Sequence, residues 1–399
     1  MDLKRFYSDR VLDDSVAREA GFNPYYPLLQ SGLHDPIIID GRPFINLASN
    51  NYLGLADDPR VKEAAIEAIK KYGISMCATP IASGYNDLYR VAEEAFSGFI
   101  GLESTLIFPS CYQANNGLFK MVAGPDDLIV FDRSVHSSLI EGIRCSESKN
   151  RPFRHNDLEH LQGILQHSDQ FQQVFVVTES VFSTEGAIAP FKEMYELCMH
   201  YGAIPVVDDS HGIGVIGGSG HGILEHAGIR DYEGIYTASL GKALAVNGGV
   251  VSGRFSLINY MRYYTSHLIY STAISPASLK ALLIVLRILQ EEFNDISNRL
   301  TSHSKRIAFA LDHIGFSMTE SKTPINSICA GNSIETLRLA KNLFNQGLLA
   351  TPFIYPSVPE NSGRIRLIAG ANLKSTSIDK AIRIFEKVHE MSAHTQSKV

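Results

Sequence analysis

The run Val206-Val207-Asp208-Asp209-Ser210-His211-Gly212 carries two acids and a histidine to the end of an apolar stretch. A second run, Thr237-Ala238-Ser239-Leu240-Gly241-Lys242, carries a lysine among small residues to the end of another. A carboxylate so placed can keep a heteroaromatic nitrogen protonated, and an amine so placed can form an imine with an aldehyde. Those are the two requirements of pyridoxal 5'-phosphate (PLP) chemistry. A lone buried carboxylate is costly, and a pyridinium N–H would supply the partner that Asp208 needs. His211, three residues on, would reach the phenolic oxygen of the same ring. Two plainer readings compete. Asp208, Asp209 and His211 could hold a metal, but no second cluster of matching spacing completes such a site, and none is expected. Lys242 could be an ordinary solvated lysine, against which stand the strand pattern before it and Gly248-Gly249 after it.

Further candidates lie at other strand ends. His136, in Asp132-Arg133-Ser134-Val135-His136-Ser137-Ser138, could stack on a cofactor ring; alone it reads as a surface or capping histidine. Ser110-Cys111-Tyr112-Gln113-Ala114-Asn115 opens a helical stretch whose first backbone N–H groups can cradle a phosphate, or Ser110 is simply an N-cap. Arg364 and Arg366 would both suit a substrate carboxylate, because a guanidinium pairs with it bidentately. Strand alternation puts the two on one face, so spacing does not choose between them.

The elements that must position these residues follow from apolar patterning. Short β-rich runs at 105–108, 128–131, 173–178, 204–208, 234–238 and 249–252 alternate with helical segments such as 88–99 and 191–201. Strand–helix alternation predicts a mostly parallel α/β sheet. In such sheets ligands bind beyond the carboxyl ends of the strands, and one site gathered from five of those ends is the economical reading. Beyond residue 280 the pattern predicts helices over 278–299 and 301–314, strands near 327–329 and 364–368, and helices over 334–344 and 377–391, an order suited to a smaller α+β lobe. The polar tail from Ser392 is expected to fray.

Bulk properties narrow the classes. The 399 residues are too many for one ordinary core. A net charge of -6 gives no electrostatic footprint for nucleic acid. Five cysteines without paired spacing suggest neither a disulfide framework nor zinc, and fit a reducing cytoplasm. Met1–Phe6 runs into Asp13 and Asp14 without an apolar core, unlike a signal peptide. The most apolar helical stretch, 279–289, is interrupted by Lys280 and Arg287, so membrane insertion is not expected.

With these residues in hand, the chain resembles the α-oxoamine synthases within the aspartate-aminotransferase-like (fold type I) PLP enzymes, from about residue 37 to 390. The motifs occur in order: Ser49-Asn50-Asn51-Tyr52-Leu53-Gly54-Leu55, Ser110 to Asn115, His136, Glu179-Ser180-Val181-Phe182-Ser183, Asp208 to Gly217, Lys242 and Arg366. The resemblance implies a three-layer large domain with a mostly parallel sheet over 56–285, a small α+β C-terminal domain over 286–399, and an N-terminal segment, 1–55, packed with the small domain and a dimer partner. It implies that Lys242 forms the imine with PLP, Asp208 pairs with the pyridine nitrogen, His211 contacts the ring oxygen and His136 stacks on the ring. Glu179 and Ser183 fall at the cofactor, while Cys111 and Tyr112, after Ser110, give backbone N–H groups to its phosphate. Asn50 and Arg366 hold the substrate carboxylate. Ser271 and Thr272 match the segment that reaches the phosphate of a homodimer partner.

Some positions depart from the family pattern. Ser239 stands where Thr is usual, which keeps a hydroxyl for the phosphate. Ala78-Thr79-Pro80, Gly84-Tyr85, Tyr89 and Ala371-Asn372-Leu373-Lys374 replace segments of which the first three flank the acyl-thioester entrance. The Ser-Leu-Gly-Lys form is similar to that of autoinducer synthases in this family. The activity implied is decarboxylating condensation of a small amino acid with an acyl thioester, on CoA or a carrier protein, to an α-aminoketone. An aminotransferase or decarboxylase on the same fold is the alternative. A catalytically silent subunit or a regulator is set aside because Lys242 is present and no DNA-binding domain is evident.

Overall fold

The computed structural model describes residues 14–396. Met1–Phe6, on which the signal-peptide reading rests, lies outside them. Helix α1 (Asp14–Ala20) and the hairpin β1 (Ile37–Ile39) and β2 (Arg42–Asn46) come first, then α2 (Pro59–Tyr72) and α3 (Asp87–Ile100). Strand and helix next alternate through β3 (Ser104–Phe108), α4 (Cys111–Val122), β4 (Leu128–Asp132), α5 (Ser137–Cys145), β5 (Lys149–Phe153), α6 (Leu158–Leu165), β6 (Val174–Glu179), α7 (Phe191–Tyr201) and β7 (Ile204–Asp208). The short α8 (Ile223–His226), β8 (Ile235–Ser239), β9 (Gly249–Gly253), α9 (Phe255–Tyr264), α10 (Ser266–Ile269) and α11 (Pro276–Ile314) follow. The chain ends with β10 (Ile325–Gly331), α12 (Ser333–Asn345), β11 (Leu348–Leu349), β12 (Thr351–Phe353), β13 (Gly363–Ile368) and α13 (Ser375–Gln396).

Two compact units result. Unit 1 takes the described residues through Gly54, the three residues Thr184–Gly186, and the chain from Asn298. Unit 2 takes Leu55–Ser183 and Ala187–Ser297.

Unit 2 is built on a seven-stranded sheet in the order β3-β9-β8-β7-β6-β4-β5. The pairs β4/β5, β4/β6, β6/β7 and β7/β8 are parallel, while β9 runs antiparallel to both β8 and β3. This is the mostly parallel sheet that the alternation predicts. Parallel strands covered on both faces need near-continuous apolar runs, and every residue of β6 and four of the five in β7 are buried. Leu106, Phe108, Ile129, Phe175, Val177, Val206 and Val251 share one core with Leu118 and Phe119 of α4.

Unit 1 holds two small sheets, β1-β2-β11 and β10-β13-β12. Asp40-Gly41, both left-handed with φ 49° and 70°, makes the tight turn between β1 and β2. Leu311, Ile328, Ile365, Leu367, Ile378 and Phe385 centre the apolar core of the unit.

Two expectations are corrected, and one strand is added. The helices expected over 278–299 and 301–314 are one continuous helix, α11, of 39 residues. Neither Gly nor Pro interrupts it, and Leu300, at the expected break, is 1% exposed. Helix α13 runs through Gln396 instead of fraying at Ser392, whose hydroxyl bonds back to the Val388 carbonyl at 3.0 Å. Strand β5 has no counterpart in the patterning, because its sequence, Lys-Asn-Arg-Pro-Phe, is that of an exposed edge kept charged.

Candidate active site

The parallel strands of unit 2 bring Asp132, Glu179, Asp208 and Ser239 to one edge of the sheet, each as the last residue of its strand. A cavity of about 380 Å3 opens there. Its lining includes Ser110, Cys111, Tyr112, His136, Glu179, Asp208, Ser239 and Lys242, eight of the residues singled out from the sequence. It also includes Pro109, Ser138, Ser210, Gly241, Asn247 and Gly248. Ser183, His211, Ser271 and Thr272 are not among the lining residues. His211 is buried at 4% exposure, and Ser271 accepts a hydrogen bond at 3.2 Å from Gln113 on the first turn of α4. Asn50 and Arg366 belong to unit 1.

Asp208 is 4% exposed, yet its carboxylate is well supplied with donors. Oδ1 accepts from the Ser210 backbone N–H at 3.0 Å and Oδ2 from Asn115 Nδ2 at 2.7 Å. Ser210 Oγ in turn accepts the Ser239 N–H at 2.8 Å, which ties the ends of β7 and β8 together. The next acid is turned away from this use. Asp209 is fully buried, accepts from Tyr236 OH at 2.9 Å and Ile223 N at 3.0 Å, and is pushed up to about 7 by burial. The pairing of both acids with His211 around a metal is therefore not what the geometry offers. Among the described residues no cluster of three or more His, Cys, Asp or Glu is suited to a metal.

Two of the plainer readings prove compatible with the sharper ones. Ser110 is the N-cap of α4, its Oγ accepting from Gln113 N at 3.2 Å, and the first turn of α4 lines the cavity. The start of β9 lets that turn come close: a Cβ on Gly249 would stand 2.2 Å from Cys111 Cα and 2.3 Å from its nitrogen. His136 is likewise the N-cap of α5, Nδ1 accepting from Ser138 N at 3.2 Å. The Glu179 carboxylate accepts the His136 backbone N–H. Burial lowers the His136 pKa, Asp208 opposes that shift and Lys242 adds to it. Cys111 Sγ lies 3.5 Å from Ser210 Oγ, and burial, reinforced by Asp208, raises its pKa far above the usual thiol range.

Unit 1 separates the two arginines that strand alternation leaves equivalent. Arg364 pairs with Glu185 at 2.6 Å and donates to Thr184 Oγ1 at 3.0 Å. Arg366 is 6% exposed, with its guanidinium 4.9 Å from the Phe353 ring centre. Burial lowers its pKa and the nearby Tyr52 opposes the shift. Asn50, two residues before Tyr52, has a buried Oδ1 with no hydrogen-bond partner.

An amine, a buried carboxylate on the neighbouring strand end and a helix N-terminus around one cavity form a donor set that fits PLP: covalent anchor, partner for the ring N–H, and seat for the phosphate. Fold and cavity together define the fold type I class of PLP enzymes.

Comparison with known proteins agrees. The pattern of the class I and II aminotransferases matches residues 42–385. The 8-amino-7-oxononanoate synthase of Thermoanaerobacter pseudethanolicus is 35% identical over 372 residues, covering 93% of this chain and 94% of that one. An 8-amino-7-oxononanoate synthase structure from Francisella tularensis superposes with a TM-score of 0.74 at 27% identity, over 88% of this chain and 99% of that one. A serine palmitoyltransferase variant from S. paucimobilis, with bound PLP–myriocin aldimine, has the same fold: TM-score 0.93 at 23% identity, over 98% and 99% of the two chains. The chain belongs to the class I and II aminotransferase family and, within it, to the α-oxoamine synthases.

Proposed function

We propose that this protein is a PLP-dependent α-oxoamine synthase, joining a small amino acid to an acyl thioester with loss of CO2 and free thiol to give an α-aminoketone. The observation that carries the reading is that Lys242 and Asp208 line one cavity, at the ends of the neighbouring strands β8 and β7, with the first turn of α4. When bound, PLP supplies an aldehyde for the amine and an electron sink for a carbanion. Lys242 would be its covalent anchor and Asp208 the partner of its ring nitrogen. The N–H groups of Cys111 and Tyr112, the hydroxyls of Ser110 and Ser239, and Ser271 and Thr272 of a second copy hold the phosphate. His136 would lie at the ring, with Glu179 accepting its backbone N–H, and Ser183 and His211 would serve the ring oxygen.

Arg366 and Asn50 clamp the substrate carboxylate, which fixes the orientation of the Cα–H bond to be broken. Lys242 Nζ would take that proton. Holding both partners in one geometry is a large part of what such a site contributes. The protein acts as a homodimer in the cytoplasm; its five cysteines, all unpaired, suit a reducing compartment. No described helix is long and apolar enough to cross a membrane. The functional division is a segment over 1–55, a cofactor domain over 56–285 and a small domain over 286–399.

Purified protein, mixed in turn with glycine, alanine and serine, should change its visible absorbance, and one of a series of acyl thioesters should then release thiol. Lys242→Ala should abolish both turnover and the visible band. Consumption of an oxo acid with no thiol release from any thioester would instead make the protein an aminotransferase.

A further inference from the structure

Two buried, uncharged residues join the acid and the histidine of the cavity. Asn115, on α4, is 0% exposed and Ser138, on α5, is 2% exposed. Asn115 Nδ2 lies 2.7 Å from Asp208 Oδ2 and 2.9 Å from Ser138 Oγ. Ser138 Oγ lies 2.9 Å from His136 Nδ1, the atom that also receives the Ser138 backbone N–H at 3.2 Å. The two helices approach closely because residue 142 is glycine: a Cβ there would stand 2.5 Å from the Asn115 carbonyl oxygen.

Only one assignment of donors and acceptors satisfies this chain, and its two ends fix it. An ionised carboxylate oxygen only accepts, so Asn115 must turn its amide nitrogen toward Asp208, and its second N–H falls to Ser138 Oγ. A backbone N–H only donates, so His136 Nδ1 is a lone-pair acceptor. Ser138 Oγ, already accepting from Asn115, gives its own hydrogen to the same Nδ1. The imidazole proton is left on Nε2, an assignment that follows from the network and not from observed hydrogens. Helix capping by His136 needs only the Ser138 N–H and does not call for the link through Asn115 to Asp208.

We propose that Asn115 and Ser138 are positioning residues that hold His136 as its Nε2–H tautomer, relaying to the imidazole the demand of the Asp208 carboxylate for a donor. His136 then presents a hydrogen-bond donor to an oxygen of the bound substrate and has no free basic nitrogen at Nδ1, which leaves removal of the α-proton to Lys242. This consequence rests on the PLP reading above; the tautomer itself does not.

The test uses PLP-loaded protein with 15N-labelled histidine, in which proton–nitrogen correlation reports which ring nitrogen carries the proton. The native protein should show His136 as Nε2–H alone. Ser138→Ala and Asn115→Leu leave Nδ1 with only the longer 3.2 Å bond from the residue-138 backbone N–H as a fixed donor, so they should admit some of the Nδ1–H tautomer and lower kcat about tenfold, the cost expected for losing one hydrogen bond in a charge-linked chain, with little change in KM for the thioester. Ser138→Thr, which keeps the hydroxyl, should restore both tautomer and kcat; if Asn115→Leu does not fold, the two Ser138 variants decide. A native His136 protonated at Nδ1, or a folded Ser138→Ala protein with the native tautomer and kcat, would overturn the proposal. Protein that shows the expected tautomers but releases thiol from no thioester would refute the reaction assigned above and leave the relay standing.

Discussion

Adjacent acids on β7 meet opposite environments, and the difference has a measurable consequence. Asp208 faces the cavity with hydrogen bonds to both oxygens. Asp209 is packed so tightly that a Cβ on Gly222 would stand 1.8 Å from its Oδ2. Burial pushes Asp209 up to about 7, whereas an unfolded aspartate titrates near 3.9. Between those values the folded protein keeps a proton that the unfolded chain has lost. The associated stability is therefore complete below about pH 4 and lost as pH rises to 7, by at most about 1.4 kcal/mol per unit for one group. Urea unfolding at pH 5 and pH 7 should show a larger drop for the native protein than for Asp209→Asn; equal drops would mean that Asp209 is already ionised in the fold. At this scale the sequence was most informative where an apolar run ends in a polar group, as at Asp208 and Lys242. Ser138 and Asn115 carry no such signal, because their role arises only when α4 and α5 pack side by side. Spacing alone likewise leaves Arg364 and Arg366 equivalent, because Glu185, the partner of Arg364, is remote in sequence and beside it only in the fold.

Six of the seven strands of the unit 2 sheet were legible to within one residue, because strands buried on both faces must be continuously apolar. The seventh, β5, is an edge and escapes that requirement, and the single helix α11 crosses the mostly polar stretch 297–303, in which no helix breaker occurs. The contact between the starts of β9 and α4 is the element-level feature with the clearest consequence. Residue 249 has room only for hydrogen, since any Cβ would strike the Cys111 backbone. Gly249→Ala must push the first turn of α4 off the end of the sheet, at a cost of about 1–3 kcal/mol typical of overpacking. Because that turn is the proposed phosphate seat, PLP should dissociate from this variant at least tenfold more readily, as read from loss of the visible band on dilution. A variant that is less stable but retains PLP normally would place the phosphate elsewhere.

The division of the whole molecule is discontinuous, since unit 1 includes Thr184–Gly186 from the middle of the chain and no shift in composition marks that segment. Side chains of unit 1 hold it, among them Arg364 on Glu185, Ser327 Oγ on the Thr184 carbonyl at 2.7 Å, and Thr323 Oγ1 on the Gly186 carbonyl at 3.1 Å. Unit 2 carries the feature that bears on assembly. Tyr260, Tyr263 and Tyr264 of α9 are exposed at 48%, 55% and 60%, and Tyr270, beside Ser271-Thr272, at 83%. The Tyr260 and Tyr264 rings pack 4.7 Å apart, and exposed aromatic side chains are characteristic of interface cores. If a second copy covers them, the native mass should be twice the 44.0 kDa of the chain. Placing charge in that interface, with Tyr264→Glu and Tyr270→Glu together, should then give a folded 44.0 kDa species by sedimentation. That species should also lose PLP more readily, because Ser271 and Thr272 would no longer reach the partner's phosphate. Native protein that sediments as a single chain while keeping PLP and full turnover would show that each cavity is complete without a partner.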